Sequence, residues 1–387
     1  MGKPELPAII TPMLNTVIKT RVEKIAAGGA GLARIDGKTA FIERAAAGET
    51  ILCRISAVHN SYVQAELLEI IEASPDRVQP ACAFYGKCGG CNLQHLNYDA
   101  QLAAKTAILK EAFIRIGRFD PPQPIVVPSE PWEYRNRMQF HYDESGVYWG
   151  LKARKSHEII PVSDCPIADP VIRALMHKQY TMPGKNRFSV YARNGLILSE
   201  NTVSRGKIAI LGRDICLDAT MFFQSNAAML EKLIIDLKKI AESCNTNLPM
   251  ADIYCGVGTF AAFIGELFPH VDLVEEHKAA LALARENLSQ HVSAAFYAQT
   301  CEQWIQKNPL YCGFMIADPP RQGFKPDLAR KLAQDGPPVL AYISCDPATL
   351  ARDSKILLEG DYSLNEVRFY DFYPQTSHIE SLAIFKK

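Results

Sequence analysis

The sequence predicts a multi-domain α/β protein with a small β-barrel first, a β-rich middle and a parallel α/β domain last. Three observations carry that expectation. At 387 residues the chain is longer than one ordinary domain. Between residues 10 and 72 short strand-like runs are separated by glycine turns. From Phe222 onward strand and helix patterns alternate, which implies a parallel sheet with helices on both faces.

Composition narrows the class. With 48% hydrophobic and 22% charged residues the chain reads as a soluble globular protein. No apolar run approaches the roughly 18 to 20 residues needed to span a bilayer. The N-terminal stretch lacks the charged, apolar and small-residue order of a secretory signal, so a cytoplasmic location is expected. Lys+Arg and Asp+Glu both total 42, so any nucleic-acid partner must be held by local basic patches. Eleven cysteines without a secretory signal favour metal or catalytic roles over a disulfide framework.

In the first stretch, Val17–Val22 is strand-like, 28–31 reads as a turn, and Ala40–Ile42 follows a turn at Gly37. Thr50–Val58 and Tyr62–Ile71 are further strand candidates, and five short strands with glycine turns suit a small barrel of the kind that often binds oligonucleotides. No strand-to-helix switch surrounds Gly28–Gly31, so it is no phosphate loop. Pro75 and Pro80 mark a linker, after which Cys82, Cys88 and Cys91 crowd together with Gly86, Gly89 and Gly90 between them. Glycines let such a loop wrap a metal. Cys165, in Ser163-Asp164-Cys165-Pro166, is the best candidate for a fourth ligand, and four thiolates suit zinc or a [4Fe–4S] cluster.

Asp99–Arg118 has helical spacing, with Gly117 as its stop. The runs 134–140 and 147–155 interleave arginines and lysines with aromatics, a mixture suited to phosphates and stacked bases as well as to a solvated hairpin face. In the last third, Asn226–Ile240 is helical and Met250–Tyr254 is a first strand followed by the helix Thr259–Phe268. Val271–Val274, Gly313–Ala317 and Val339–Ser344 are further strands. His277–Ser289 is another helix, and the segments 364–370 and 379–385 form a closing antiparallel pair.

Chemistry gathers at the expected strand ends. Tyr254-Cys255-Gly256-Val257-Gly258-Thr259-Phe260 stands where the first strand turns into a helix, and Glu275 lies about 20 residues on, placed for ribose hydroxyls. Dinucleotide and S-adenosylmethionine sites share this pattern. Asp318-Pro319-Pro320-Arg321 ends a later strand and looks like the base-binding motif of nucleic-acid methyltransferases. Cys345 ends the next strand. A thiolate beside a methyl donor and a base pocket suits attack on C6 of uracil, because C5 becomes nucleophilic only after something adds at C6. The adduct then needs a base to take the C5 proton, and Glu380 or His378 can serve; spacing does not choose between them.

With these motifs in place, the sequence resembles the RNA uracil-5-methyltransferase family over nearly its whole length. The supporting runs are Phe223-Gln224-Ser225-Asn226, Asp252–Gly258, Asp318–Arg321, Ser344-Cys345-Asp346-Pro347 and His378-Ile379-Glu380. The resemblance implies a Rossmann-like S-adenosylmethionine-dependent methyltransferase fold at the C-terminal end and an OB-like TRAM barrel at the other. It implies Cys345 as nucleophile and Glu380 as proton acceptor. A donor site would be formed by Gln224, Tyr254, Gly256, Gly258, Thr259 and Glu275, with Asp318 between donor and uracil. It further implies that Cys82, Cys88, Cys91 and Cys165 ligate a [4Fe–4S] cluster, with zinc the lesser candidate, as in the 23S ribosomal RNA branch. Thr259 departs from the family, where an asparagine is frequent, and Ser225 stands where a bulkier residue is common. The expected domains are a barrel over 10–74, a central iron–sulfur and RNA-binding domain over 75–96 and 125–220, and a methyltransferase domain over 97–124 and 221–387. The expected protein is a cytoplasmic monomer acting on 23S ribosomal RNA. The readings it competes with are a tRNA uridine methyltransferase, a non-catalytic RNA-binding protein and a nicotinamide-linked oxidoreductase.

Overall fold

The structure, a computed structural model, describes residues 13–178, 186–289, 292–308 and 310–387. Residues 10–12 of the expected barrel therefore lie outside the described residues. The chain divides into two units, one running to Ile108 and including Gln375–Ser377, the other comprising Leu109–Pro374 and His378–Lys387.

In the first unit, β1 (Val17–Ile25), β2 (Gly31–Ile35), β3 (Lys38–Ile42), β4 (Thr50–Val58) and β5 (Tyr62–Glu72) close into a barrel in the order β1-β2-β3-β5-β4. Alternation builds it. Along β4, Ile51, Cys53 and Ile55 are fully buried and meet Val22, Ala40 and Val63 from the other strands. Three register shifts between β4 and β5 bend those long strands round to closure. The turn between β2 and β3 places Asp36 and Gly37 at φ 47° and 79°, the left-handed pair that a tight hairpin requires.

The segment after the barrel is tied back by Glu49. Burial acts to raise this carboxyl, but hydrogen bonds from Arg77 and the Ala46 N–H outweigh it and hold the pKa below the ordinary value. Arg77 Nη2 lies 2.9 Å from Glu49 Oε2. The same unit holds Gln375–Ser377, where the N–H groups of Asn92 and Leu93 donate to the Gln375 carbonyl at 3.1 and 3.0 Å. α1 (Tyr98–Ala112) follows and runs on as a wider turn over Phe113–Gly117, ending at Arg118 with φ 66°.

Among its described residues the second unit contains three sheets. After the short strand β6 (Ile125–Val127) come β7 (Arg137–Tyr142), β8 (Trp149–Lys152), β9 (Ile159–Ile160), α2 (Pro170–Met176), β10 (Arg187–Arg193) and β11 (Leu196–Ser199). These make a five-stranded sheet ordered β11-β10-β7-β8-β9. Phe140, Trp149 and Phe188 meet in its core, with ring centroids 4.6 to 5.4 Å apart. β12 (Arg205–Ile210) and β13 (Arg213–Asp218) form a separate hairpin. Strands β10 to β13 fall where the sequence reading placed no element. Their turns do carry a signal, since Asn194-Gly195 and Leu211-Gly212 both have positive φ at each residue.

The large sheet follows, built from α3 (Ala227–Glu242), β14 (Met250–Ile253), α4 (Thr259–Ile264), β15 (Val271–Val274), α5 (Lys278–Asn287), β16 (Ala294–Tyr297), α6 (Cys301–Lys307), β17 (Phe314–Ala317), α7 (Pro326–Asp335), β18 (Val339–Ser344), α8 (Pro347–Leu358), β19 (Ser363–Tyr370) and β20 (Glu380–Lys386). Its order is β16-β15-β14-β17-β18-β20-β19-β6. β14 and β17 are buried at every position, as fits strands covered on both faces. β19 and β20 pair antiparallel, as expected, and β20 also pairs antiparallel with β18. The partner that sequence does not announce is β6, which runs parallel to β19 from far upstream. The turn after α1 packs on α8. Among the described residues no helix is long and apolar enough to cross a membrane.

The chain leaves β14 toward β15 on one side and returns through β17 on the other, so strand order reverses between β14 and β17. A crevice outside the carboxyl ends of the strands at such a reversal is where open α/β sheets bind ligands.

Candidate active site

At that reversal the chain leaves β14 through Tyr254, Gly256 and Gly258, with φ of 60°, 53° and 73°. Glycine is required at 258 for space as well as angle, because a Cβ there would stand 2.8 Å from Ala284 Cβ. The Gly256 N–H donates to Glu275 Oε2 at 3.1 Å, and the His277 N–H donates to Oε1 of the same carboxylate at 2.8 Å. Glu275 is thereby fixed at the end of β15.

Behind this loop lies Asp252, fully buried in β14. Its Oδ2 accepts from the Ala261 N–H at 3.2 Å, and its Oδ1 has no partner among the described residues. Burial pushes the carboxyl up to about 8, and the Asp318 and Glu275 charges add to the rise. The native state therefore holds a proton here that the unfolded chain gives up near the ordinary value of 3.8. Stability from this group is whole below that value and is lost as pH climbs through the raised pKa. Asp252→Asn should melt above wild type at about pH 8, and the gap should close toward about pH 4. Paired thermal melts check this.

The other wall comes from β17, β18 and β20. Register pairs Ser344 with Ser381, so Cys345, one residue beyond the end of β18, stands next to Glu380, the first residue of β20. Asp346 caps α8, its carboxylate accepting from the N–H groups of Ala348 and Thr349 at 2.9 and 3.1 Å, and Pro347 occupies the first helical turn. Asp-Pro here opens a helix. Burial first, then the Glu380 and Asp318 charges, push the Cys345 thiol up to about 12, against an opposing pull from Arg321. Burial likewise raises Asp318 to about 7, and it raises Glu380 well above an ordinary glutamate, with Asp318 adding to the effect. Two carboxyls facing one another in so dry a place do not both ionise readily.

Asp318 rides on a loop that α8 grips. Asp353 is fully buried; its Oδ2 accepts from Tyr342 Oη at 2.8 Å and from the Phe324 N–H at 2.7 Å. Arg352 Nη2 donates to the carbonyls of Gln322 and Phe324, and Thr349 Oγ1 to that of Arg321. Phe324 in turn stacks near the Tyr254 ring, centroids 6.5 Å apart. Nothing in the local sequence marked Asp353, because apart from its neighbour Arg352 its partners come from two other segments. Asp353→Ala should cost on the order of 3 kcal/mol by stranding buried donors, read by denaturant unfolding.

Gln224, Tyr254, Gly256, Thr259, Glu275, Asp318, Cys345 and Glu380 all line one cleft of about 1130 Å³. Gly258 does not; it packs against α5 instead. His378 lines the cleft but is exposed, whereas Glu380 is only 4% exposed. Of the basic and aromatic runs, Arg135 and Arg137 reach the cleft, and residues 147–155 do not line it. Tyr373 and the exposed Phe222 also line it and were not singled out from sequence. Gln224 Oε1 is buried with no partner among the described residues.

The cysteine loop is closed by backbone hydrogen bonds, Tyr85 N–H to the Cys82 carbonyl at 3.1 Å and Cys88 N–H to the Phe84 carbonyl at 2.9 Å. The Gly90 N–H donates to Cys88 Sγ at 3.4 Å. Cys82, Cys88 and Cys91 belong to the first unit and Cys165 to the second. Among the described residues no group of three or more His, Cys, Asp or Glu side chains is arranged to hold a metal ion. The gathered ligand set that the sequence led us to expect is therefore not seen.

Comparison with known proteins bears on both units. The TRAM domain family matches residues 13–68, and the tRNA (uracil-5-)-methyltransferase family matches residues 300–387. An uncharacterized RNA methyltransferase of Treponema denticola is 32% identical over 97% of this chain and 100% of its own. Another from Halalkalibacterium halodurans is 29% identical over 96% and 97%. Among solved structures, a tRNA (uracil-54, C5)-methyltransferase of Pyrococcus abyssi, in complex with S-adenosyl-L-homocysteine, shares the fold. Its TM-score is 0.75 at 23% identity, over 95% of this chain and 100% of that one.

Proposed function

The chain belongs to the RNA (uracil-5-)-methyltransferase family, and from that premise we propose that it transfers a methyl group from S-adenosylmethionine to C5 of a uridine in 23S ribosomal RNA through a covalent adduct on Cys345. Membership makes it an enzyme and leaves no room for a purely RNA-binding or nicotinamide-linked role. The observation that carries the covalent mechanism is the register of β18 and β20, which seats Cys345 beside Glu380 in a cleft shared with the Gly256 turn.

Cys345 Sγ attacks C6 of the uracil, and its proton passes to Asp318, whose raised pKa suits it to that exchange. The C5–C6 double bond becomes an enolate that takes the methyl group at C5. Glu380 then removes the C5 proton, the double bond re-forms and the Cys345–C6 bond breaks. When bound, the donor supplies an electrophilic methyl group and a sulfonium charge that favours the ionised carboxylates. The donor site fits such a molecule: Glu275 offers a fixed acceptor for ribose hydroxyls, and the orphaned Gln224 Oε1 offers one for an ammonium group. Tyr254, Gly256 and Thr259 line its wall, with Gly258 supporting the turn from behind. Glu380 is preferred to His378 as base because it is buried beside the thiol.

The ribosomal target and the [4Fe–4S] cluster on Cys82, Cys88, Cys91 and Cys165 belong to this reading together, both following from the branch that the sequence resembles. In support stand the soft donor set and the glycine-spaced loop; no step of the chemistry runs through the cluster. Iron and sulfide analysis with a visible spectrum of anaerobically purified protein should show a brown, cluster-bearing enzyme, and a colourless, iron-free protein would remove the cluster. The proposal includes a monomeric, cytoplasmic enzyme.

The tRNA reading is favoured by the substrate named for the matching family and for the Pyrococcus abyssi structure. Mapping 5-methyluridine in ribosomal and transfer RNA with and without the protein separates the two. The ribosomal reading expects the lost site in 23S RNA, and a site lost only from tRNA would replace it.

A further inference from the structure

Asn287, the last residue of α5, is 3% exposed and does not line the cleft, yet its carboxamide is fully used. Oδ1 accepts from the Cys216 N–H at 2.6 Å. Nδ2 donates to the Cys216 carbonyl at 2.9 Å and to the Val257 carbonyl at 2.8 Å. Cys216 lies in β13, whose exit leads through the Asp218–Thr220 turn to the cleft-lining segment around Gln224. Val257 sits between Gly256 and Gly258 in the turn after β14 and lines the cleft itself. α5 begins just after Glu275, whose carboxylate holds the Gly256 N–H. One amide side chain thus joins the three segments that carry Gln224, Gly256 and Glu275.

A main-chain fork of this kind fixes register. Paired N–H and carbonyl groups on Cys216 accept only a side chain that both donates and accepts, and the second Nδ2 hydrogen is left for Val257. Ala284, one turn earlier on the same helix, closes against Gly258 and leaves no room for the turn to shift in that direction.

We propose that Asn287 is a positioning residue for the methyl donor, registering the Gly256–Gly258 turn against the strand that delivers Gln224. It acts on donor affinity and leaves the RNA side of the cleft, formed by Asp318, Cys345 and Glu380, untouched. This rests on the reading of the cleft as the donor site.

The test is calorimetric titration of S-adenosylmethionine into wild type, Asn287→Ala and Asn287→Ser, with steady-state KM for donor and RNA measured separately and thermal melts as a fold control. Both variants should bind donor about tenfold more weakly or worse, with the RNA KM within about twofold of wild type. If Asn287→Ala does not fold, the serine variant, which keeps one donor and acceptor, carries the comparison. Donor affinity within about twofold of wild type despite a lowered melting point, or equal rises in both KM values, would overturn the assignment. Failure of wild type to bind donor at all would sink the donor-site reading instead, so the two failures are distinguishable.

Discussion

Cys345→Ala protein, incubated with S-adenosylmethionine and substrate RNA, is expected to give no 5-methyluridine, a loss of at least about 10⁴ in rate. The reason is specific to this chemistry. C5 of uracil does not take a methyl group until a nucleophile has added at C6, and Cys345 is the thiol that lines the cleft beside the two carboxyls. Cys255 and Cys301 line it too, but both are buried, and burial raises each of them. Donor binding by the variant should stay within about twofold of wild type, since Cys345 lies on the opposite wall from Glu275. Tritium release from C5-labelled RNA follows the reaction; label released at the wild-type rate would remove Cys345 from its role.

Glu380→Gln is expected to do something different. Attack and methyl transfer go forward, but glutamine cannot accept the C5 proton, so the enzyme stays joined to its RNA. Turnover should fall by about 10² to 10⁴, with a band retarded on a denaturing gel. The pH profile carries a sign as well. Burial first, and Asp318 second, hold the Glu380 pKa above an ordinary glutamate. Its base form therefore grows as pH rises, and wild-type turnover should climb through that ionisation. The variant should lose the rising limb that belongs to Glu380. A variant that turned over freely and kept the limb would transfer the role to His378 or to water.

How much of this was legible beforehand depends on how local each signal is. The barrel was, because alternation along β4 and glycine turns such as Gly37 are written in adjacent residues. So were the strand ends that carry Tyr254, Asp318 and Cys345, since fully buried parallel strands read as short apolar runs. The β10–β13 region carries only a weak signal, the Asn194-Gly195 pair that takes the left-handed conformation of a hairpin turn. Long-range partnerships had no local trace at all. β6 pairs with β19 across the whole unit, Asp353 gathers partners from Tyr342 and Phe324, and Asn287 joins β13 to the Gly256–Gly258 turn. Register made the largest addition. Spacing alone does not choose between Glu380 and His378; the β18–β20 pairing adds that Glu380 stands beside Cys345 and is buried, and the proposal of Glu380 as base draws on that.

The central claim is a covalent bond between Cys345 and C6 of uracil. It is tested most directly with RNA carrying 5-fluorouridine at the target position, whose C5 fluorine cannot leave as a proton does. Wild-type protein, donor and this RNA, followed by nuclease and protease digestion and mass spectrometry, should yield a peptide containing Cys345 that carries a methylated fluorouridine nucleotide. A nucleotide found on another residue, or normal release of the RNA with no adduct, would contradict the account.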